Sequence, residues 1–368
     1  MKKVFAALIP SNISTSSLRI LPYVLNGFVC PSPKSIDIEI SNRCNLHCQM
    51  CWFHGQNGVG DLYADQELTT NEIINIVDEL SIYKPSIYIG GSEPFIRDDF
   101  LLILEHIKNH NMMVSFTTNG TLIDQLGVKK IVEIGTDVVN FSIDGHEALH
   151  DQVRGDGVFR KVTSVISELS KYKRKRCRVN PVINVNIIIS PSMHGNLAQT
   201  IEELIKATDD GVDVYRLHHL WFITRSELKE HCRLVRQSLN CSARGAASHV
   251  TSCSENIKAP EIAKEILSLR DNPKVKLFPD LSYNNIINYY SNDPVDKKRC
   301  VAPFFGAVIK PNGDVRFCPD EWIDDYVLGN IRMDRFDSIW NNDKARKFRA
   351  RLWKIKCFPG CKRCSWMY

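Results

Sequence analysis

No stretch of the sequence approaches the roughly 20 consecutive apolar residues that a membrane-spanning helix needs, so no such helix is expected. Charge of one sign is scarce as well. The 47 basic and 42 acidic side chains leave a formal +5, too small an excess to imply a nucleic-acid partner. The densest basic run, Lys171-Tyr-Lys-Arg-Lys-Arg176, has no aromatic platform or second basic run beside it. It reads as a solvated helix end or loop, not as an RNA-contacting patch. Internal repeats and low-complexity tracts are missing. The start, Met1-Lys-Lys-Val-Phe-Ala-Ala-Leu-Ile-Pro10, has a basic tip and an apolar run, but the run is short for a signal peptide. The polar stretch 11–17 follows it without a clear cleavage site. The expectation is a cytoplasmic chain with reduced thiols. Its 368 residues, 43% of them hydrophobic, suffice for one large domain and a smaller one.

Cysteine, by contrast, is abundant. The chain has 13, an odd number gathered at two places, which does not suit a disulfide framework. The first group is Cys44-Asn-Leu-His-Cys48-Gln-Met-Cys51. Three thiolates on one tight turn can hold three irons of a [4Fe–4S] cluster and leave the fourth open to a small molecule. Structural zinc wants four protein ligands, commonly as two CxxC-like pairs, so zinc is the weaker alternative. The second group comprises Cys300, Cys318, Cys357, Cys361 and Cys364. Its first part has the form Cx12Gx4C, where Gly313 suits a tight turn between two strands.

Strand and helix signals alternate between residue 36 and about 220. Ile36, Ile38 and Ile40 interleave with Asp37 and Glu39, a period-2 strand that runs into the first cysteine loop. Thr69 and Glu72 form a capping box for the next helix. Further strands are expected over 86–90, 112–117, 138–143, 183–189 and 212–218. Helices are expected over 98–110, 122–134, 158–171 and 197–207. Six strands with helical crossovers predict an α/β fold, a partial (β/α)6 barrel of parallel strands. Its site lies at the carboxyl ends of the strands, where the cysteine loop falls. Residues 1–35 read as an N-terminal extension with an amphipathic segment over 18–28, 36–224 as the barrel, and 225–295 as a helical connector. Residues 296–368 read as a small α+β cluster-binding domain.

These motifs, in this order, resemble the radical S-adenosylmethionine (radical SAM) superfamily over roughly residues 36–220. Cys44, Cys48 and Cys51 match its cluster loop, with Met50 in the hydrophobic slot before the last cysteine. Gly90-Gly91-Ser92-Glu93-Pro94 looks like the family's GGEP motif, whose backbone and glutamate meet the methionine amino group of SAM; Ser92 departs from it slightly. Thr118-Asn119-Gly120 and Ser142-Ile-Asp144-Gly145 resemble its ribose- and carboxylate-side contacts. Arg154 matches an arginine that pairs with the methionine carboxylate, and a guanidinium fork suits that role. The resemblance implies SAM chelated at the open iron, a flavodoxin- or ferredoxin-type reductant, and reductive cleavage to a 5′-deoxyadenosyl radical that abstracts a substrate hydrogen.

The second cysteine group resembles the SPASM/Twitch extension of these enzymes. A full SPASM module has seven cysteines and two clusters, so five fit the Twitch form with one auxiliary [4Fe–4S] cluster. Cys300, Cys318, Cys361 and Cys364 are the expected ligands, with Cys357 a substitute or an extra thiol. Zinc on two cysteine pairs is the alternative. Asp320 and Glu321 lie where some relatives place a carboxylate base for two-electron oxidation; the alternative is a solvated acidic turn. Epimerisation would instead need a hydrogen donor, for which Cys177, Cys232, Cys241, Cys253 and Cys357 are formally available. His218, His219 and Trp221 are expected near the mouth of the site. The expected activity is that of a radical SAM oxidoreductase. Its substrate would be a small sugar-like or aminocyclitol metabolite, oxidised or epimerised, with peptide maturation as the alternative.

Overall fold

A computed structural model describes residues 16–55, 58–60, 62–250, 258–291 and 299–367. The apolar start and Cys253 lie outside the described residues. The first strand, β1 (Ser35–Glu39), forms as its period-2 pattern dictates: Ile36 and Ile38 are fully buried on one face, while Asp37 and Glu39 point the other way. The helix Thr70–Leu80 follows, with its capping box in place. Thr69 Oγ1 accepts from the Glu72 N–H, and Glu72 accepts from the Thr69 N–H at 2.7 Å. The helix buries Ile73, Ile76, Val77 and Leu80, one stripe at 3.6-residue spacing.

The same alternation builds β2 (Ser86–Gly90), β3 (Val114–Thr118), β4 (Val138–Ser142), β5 (Val182–Ile189) and β6 (Val214–His219). Neighbours pair in parallel, in order β1-β2-β3-β4-β5-β6. The parallel α/β barrel wall expected from the sequence is what the structure shows. Two features go beyond that expectation. A seventh parallel strand, β7 (Val275–Phe278), joins β6 from within the segment expected to be helical. It has only two buried alternating positions, Val275 and Leu277, too short a pattern to register as a strand. At the other edge, β8 (Gly306–Ile309) pairs in parallel with β1. The antiparallel strands β9 (Asp314–Arg316) and β10 (Gly329–Asn330) follow it. The C-terminal module thus continues the barrel wall as part of one ten-stranded sheet.

The basic run is not a solvated end throughout. The helix Val158–Lys175 extends through most of it, and Lys173 is buried, donating to Asp213 at 2.7 Å and to the Pro181 carbonyl at 3.1 Å. That pairing offsets the cost of removing the ammonium from water. The helix Ser16–Leu25 covers the expected amphipathic segment, with Ile20 buried and Leu25 exposed. Among the described residues, no helix is long and apolar enough to cross a membrane.

Candidate active site

The first cysteine loop leaves β1 through buried Ser41 and Asn42. Arg43 and Ser41 both bond Glu67, which braces its stem. Within the loop, the Cys51 N–H reaches the Cys48 carbonyl at 3.0 Å. Two sulfurs receive backbone donors: Leu46 N lies 3.4 Å from Cys44 Sγ, and His54 N lies 3.4 Å from Cys51 Sγ. Such donors stabilise thiolates and metal-bound sulfur. Asn119, after β3, reaches Cys44 Sγ at 3.8 Å and Asn45 at 2.9 Å, tying the loop to the Thr118-Asn-Gly motif.

The turn after β2 packs against this stem. Gly91 has φ +97°, and a Cβ there would lie 2.3 Å from the Ser41 carbonyl oxygen, so only glycine fits. Ser92 donates to the Asn42 carbonyl at 2.9 Å and meets His54 at 3.1 Å; Pro94 is buried beside it. Glu93 is 1% exposed. Burial pushes its carboxyl up to about 7, against the pull of the Asn119 N–H and the Thr118 hydroxyl. Its oxygens also accept from Phe95 N, so Glu93 braces the β2 and β3 turns together.

Arg154 ends the helix Glu147–Arg154. Gln49 of the cysteine loop bonds the Val153 and Gln152 carbonyls, which brings that helix end against Cys48. Arg154 Nε donates to Asp144 at 2.6 Å; the other Asp144 oxygen and both side-chain atoms of Asn42 are buried without partners among the described residues. Ser142 closes β4, paired with Asn186, and Met50 is half-buried. The SAM-side residues named from the sequence therefore gather around one loop.

All five auxiliary cysteines come together. Cys361 lies close enough to feel the charge of Cys300, Cys318, Cys364 and Cys357. Burial pushes the Cys300 thiol up to about 12 and raises the Cys318, Cys361 and Cys364 thiols as well. A buried thiol set loses its protons when it binds metal, and it supplies the soft donors that iron–sulfur clusters take. Among the described residues, the one set of three His, Cys, Asp or Glu ligand atoms within 4.8 Å of each other is Asp78, His106 and His110, remote from both cysteine groups. Tetrahedral zinc would draw its sulfurs to about 3.8 Å apart.

The structure separates Asp320 from Glu321. Both hold positive φ, +57° and +59°, a strained conformation for non-glycine residues that clusters at functional sites. Glu321 is 3% exposed and closed by Lys310 at 2.6 Å and Arg316 at 2.7 Å. Burial works to raise its carboxyl, but those two cations hold it below the usual range. It is a structural anchor. Asp320 has no ion pair among the described residues. It lies deep in the bowl while keeping partial access, and burial with nearby Glu39 pushes it up to about 7. The Asp320 carbonyl is held by His249 at 2.7 Å, and the Trp322 carbonyl by His231 at 2.8 Å. Neither histidine stood out in the sequence, because both act on backbone atoms more than 70 residues away.

His218 is half-buried inside the barrel and stacks on Phe278 at 5.1 Å. Trp221 stacks on Trp52, next to Cys51. His219 does not line the site: strand alternation turns it outward, where it is buried between Tyr289 and Tyr290 and bonds the Tyr290 hydroxyl. Cys177 is exposed at the end of an outer helix. Cys232 meets the Ala243 carbonyl, and Cys241 lies near Asp324 and Asp325.

A parallel barrel with an open-iron thiolate loop at its carboxyl end, and a second thiolate set beside it, defines an iron–sulfur enzyme that binds SAM. The chain belongs to the radical SAM superfamily, which residues 38–207 match, and residues 300–365 match its SPASM iron–sulfur cluster-binding domain. It is 24% identical over 341 residues to the tungsten-containing aldehyde ferredoxin oxidoreductase cofactor-modifying protein of Pyrococcus furiosus, covering 90% of this chain and 87% of that one. It is 24% identical over 323 residues to pre-heme d1 synthase of Dinoroseobacter shibae, covering 84% and 74%. Streptococcus suis SuiB bound to S-adenosylmethionine has the same fold, with TM-score 0.63 at 12% identity over 95% of this chain and 76% of that one. SuiB bound to the precursor peptide SuiA gives 0.60 at 14% identity over 96% and 74%. The cofactors are accordingly SAM, a [4Fe–4S] cluster and an auxiliary cluster.

Proposed function

We propose that the enzyme removes two electrons from a hydroxyl- or amine-bearing carbon of a small metabolite, of the sugar or aminocyclitol kind, with Asp320 as the base. The observation that carries this reading is the position of Asp320. Its carboxylate has no ion pair among the described residues and lies among Glu39, Asp37 and Tyr88 of the barrel interior on one side and Cys318 and Cys364 on the other. When bound, SAM at the open iron supplies a hydrogen-abstracting radical and the auxiliary cluster an electron acceptor. Cys44, Cys48 and Cys51 would hold the first cluster. Cys300, Cys318, Cys361 and Cys364 would hold the second, with Cys357 alongside. Arg154 and the turns after β2, β3 and β4 would orient SAM. After a hydrogen atom leaves the substrate carbon, Asp320 takes the proton of its hydroxyl or amine as the second electron departs. His249 fixes the Asp320 backbone for that transfer.

Oxidation is favoured over epimerisation by where the thiols are. Cys357 sits with the auxiliary set and Cys241 near Cys318 of that set, while Cys177 is exposed on an outer helix and Cys232 meets the Ala243 carbonyl. Two relatives that cover most of the chain are named a cofactor-modifying protein and a pre-heme d1 synthase, which supports a small-molecule substrate, while a third is named a mycofactocin maturase. The likeness to SuiB with its peptide keeps peptide maturation as the second reading.

The test uses the anaerobically reconstituted enzyme with candidate substrates deuterated at the reacting carbon. Deuterium should appear in 5′-deoxyadenosine for wild type and Asp320→Asn alike, while oxidised product falls about 10²–10⁴-fold in the variant. Undiminished product from Asp320→Asn would remove Asp320 as the base.

A further inference from the structure

Among the described residues, the barrel interior holds an arginine that the reaction above does not use and that no carboxylate pairs. Arg216, in the middle of β6, points inward between outward-buried Tyr215 and Leu217. Its guanidinium lies over the Phe278 ring at 4.3 Å and donates one bond, from Nη1 to Asn140 Oδ1 at 3.1 Å. No carboxylate among the described residues pairs with it, and Tyr88 across the barrel is the one charge-bearing group that bears on it. Among the buried arginines, Arg316 pairs with Glu321 and Arg363 with Glu227, while Arg349 bonds the Pro303 and Phe28 carbonyls and, like Arg216, meets no carboxylate among the described residues.

Its neighbours are unsatisfied too. In the paired register, Asn186 lies beside Arg216, and His218 follows on the same face of β6. His218 Nε2, Asn186 Oδ1 and Asn184 Oδ1 are buried without hydrogen-bond partners among the described residues. The result is a fixed, planar fork backed by one aromatic face, next to an imidazole nitrogen with nothing to bond. A carboxylate fits this arrangement: it takes two guanidinium N–H groups in plane and can accept a third donor from His218.

We propose that Arg216, assisted by His218, seats a carboxylate of the substrate, so that the sugar-like metabolite carries an acid group. This rests on the reading of the barrel interior as the substrate cavity. Asn140 and Phe278 act as positioning residues that set the plane of the fork. Anchored there, the acid's far end extends across the bowl toward Tyr88 and Asp320.

Calorimetric titration of the oxidised, SAM-saturated holoenzyme with benzoate and with benzamide tests the idea without turnover. Benzoate should bind at least about tenfold more tightly than benzamide, and Arg216→Gln should erase that preference while Arg216→Lys keeps part of it. Equal binding of the two probes, no benzoate binding, or an unchanged preference in Arg216→Gln would each overturn the proposal. SAM affinity is measured alongside; a parallel loss of SAM binding in Arg216→Gln would assign the guanidinium to SAM and overturn it as well. Should Arg216→Gln not fold, the wild-type preference and the Arg216→Lys titration still decide. A benzoate seat at Arg216 together with undiminished product from Asp320→Asn would remove the oxidation reading and leave the carboxylate seat standing.

Discussion

Two walls of the barrel interior carry charge in opposite ways. On the wall built by β1, β8 and β9, Lys310 reaches Glu39 at 2.5 Å and Glu321 at 2.6 Å, and Arg316 reaches Glu321 at 2.7 Å and the Tyr63 hydroxyl at 2.9 Å. Every charge there answers another from the same chain. On the β6 wall, Arg216 has an amide and a ring but no carboxylate. The closed wall is architecture: it clamps the strand after Cys300 to the barrel and fixes the loop after Cys318, which sets where Asp320 lies. The open wall is unfinished without a ligand. Buried charge is therefore not a mark of function by itself.

If that contrast holds, breaking the closed wall should harm the fold most. Lys310→Met leaves Glu39 and Glu321 buried together without their shared cation, and should cost about 3–5 kcal/mol, read by anaerobic denaturation of the holoenzyme. A loss near that of an exposed substitution would mean the wall is not the clamp described. Arg316→Gln keeps Lys310 on Glu321 and should cost less, about 1–3 kcal/mol, in the same measurement.

Asp37 sharpens the comparison through pH. Burial and then Glu39 push its carboxyl up from the ordinary 3.8 to about 8. A folded pKa above the unfolded one means that the native state holds a proton the unfolded chain has released. This group's contribution is thus full below about pH 4 and lost as pH rises toward 8. The advantage of Asp37→Asn over wild type should widen by about 1.4 kcal/mol for each pH unit between pH 5 and 8, and close at lower pH. A constant gap across that range would show that Asp37 is not held protonated.

The smallest effect belongs to the outer surface. Arg332 draws the Glu72 carboxyl down to about 2, so this pair stabilises above the ordinary carboxylate range and fades as pH falls toward 2. Both side chains are about a third exposed, and solvent screening leaves Arg332→Ala a loss of about 1 kcal/mol or less at neutral pH. A larger loss would show that closure by charge matters outside the barrel as much as within it.

Much of the site was legible before the structure. The cysteine loop, Gly91, Glu93, Asn119 and Asp144 each follow a strand, and strands announce themselves by alternation. Asp37 and Glu39 sat in view too: polar residues alternating with buried isoleucines in a barrel strand must face inward. The pairing of Glu39 with Lys310 was not legible, since the two are 271 residues apart. Nor was the difference between Asp320 and Glu321, adjacent residues of the same chemistry. β7 was missed because four residues give too little periodicity against a helical background.

The sequence alone determined the chemistry available: three thiolates on one loop, five more near the end, and a succession of strands to carry the turns that meet SAM. Those are local properties, set by spacing and by side-chain period. Only the tertiary structure decided which charges are closed and which stand open. Partnership between residues hundreds of positions apart depends on how strands register and pack, and that register made Glu321 an anchor and left Arg216 without a carboxylate.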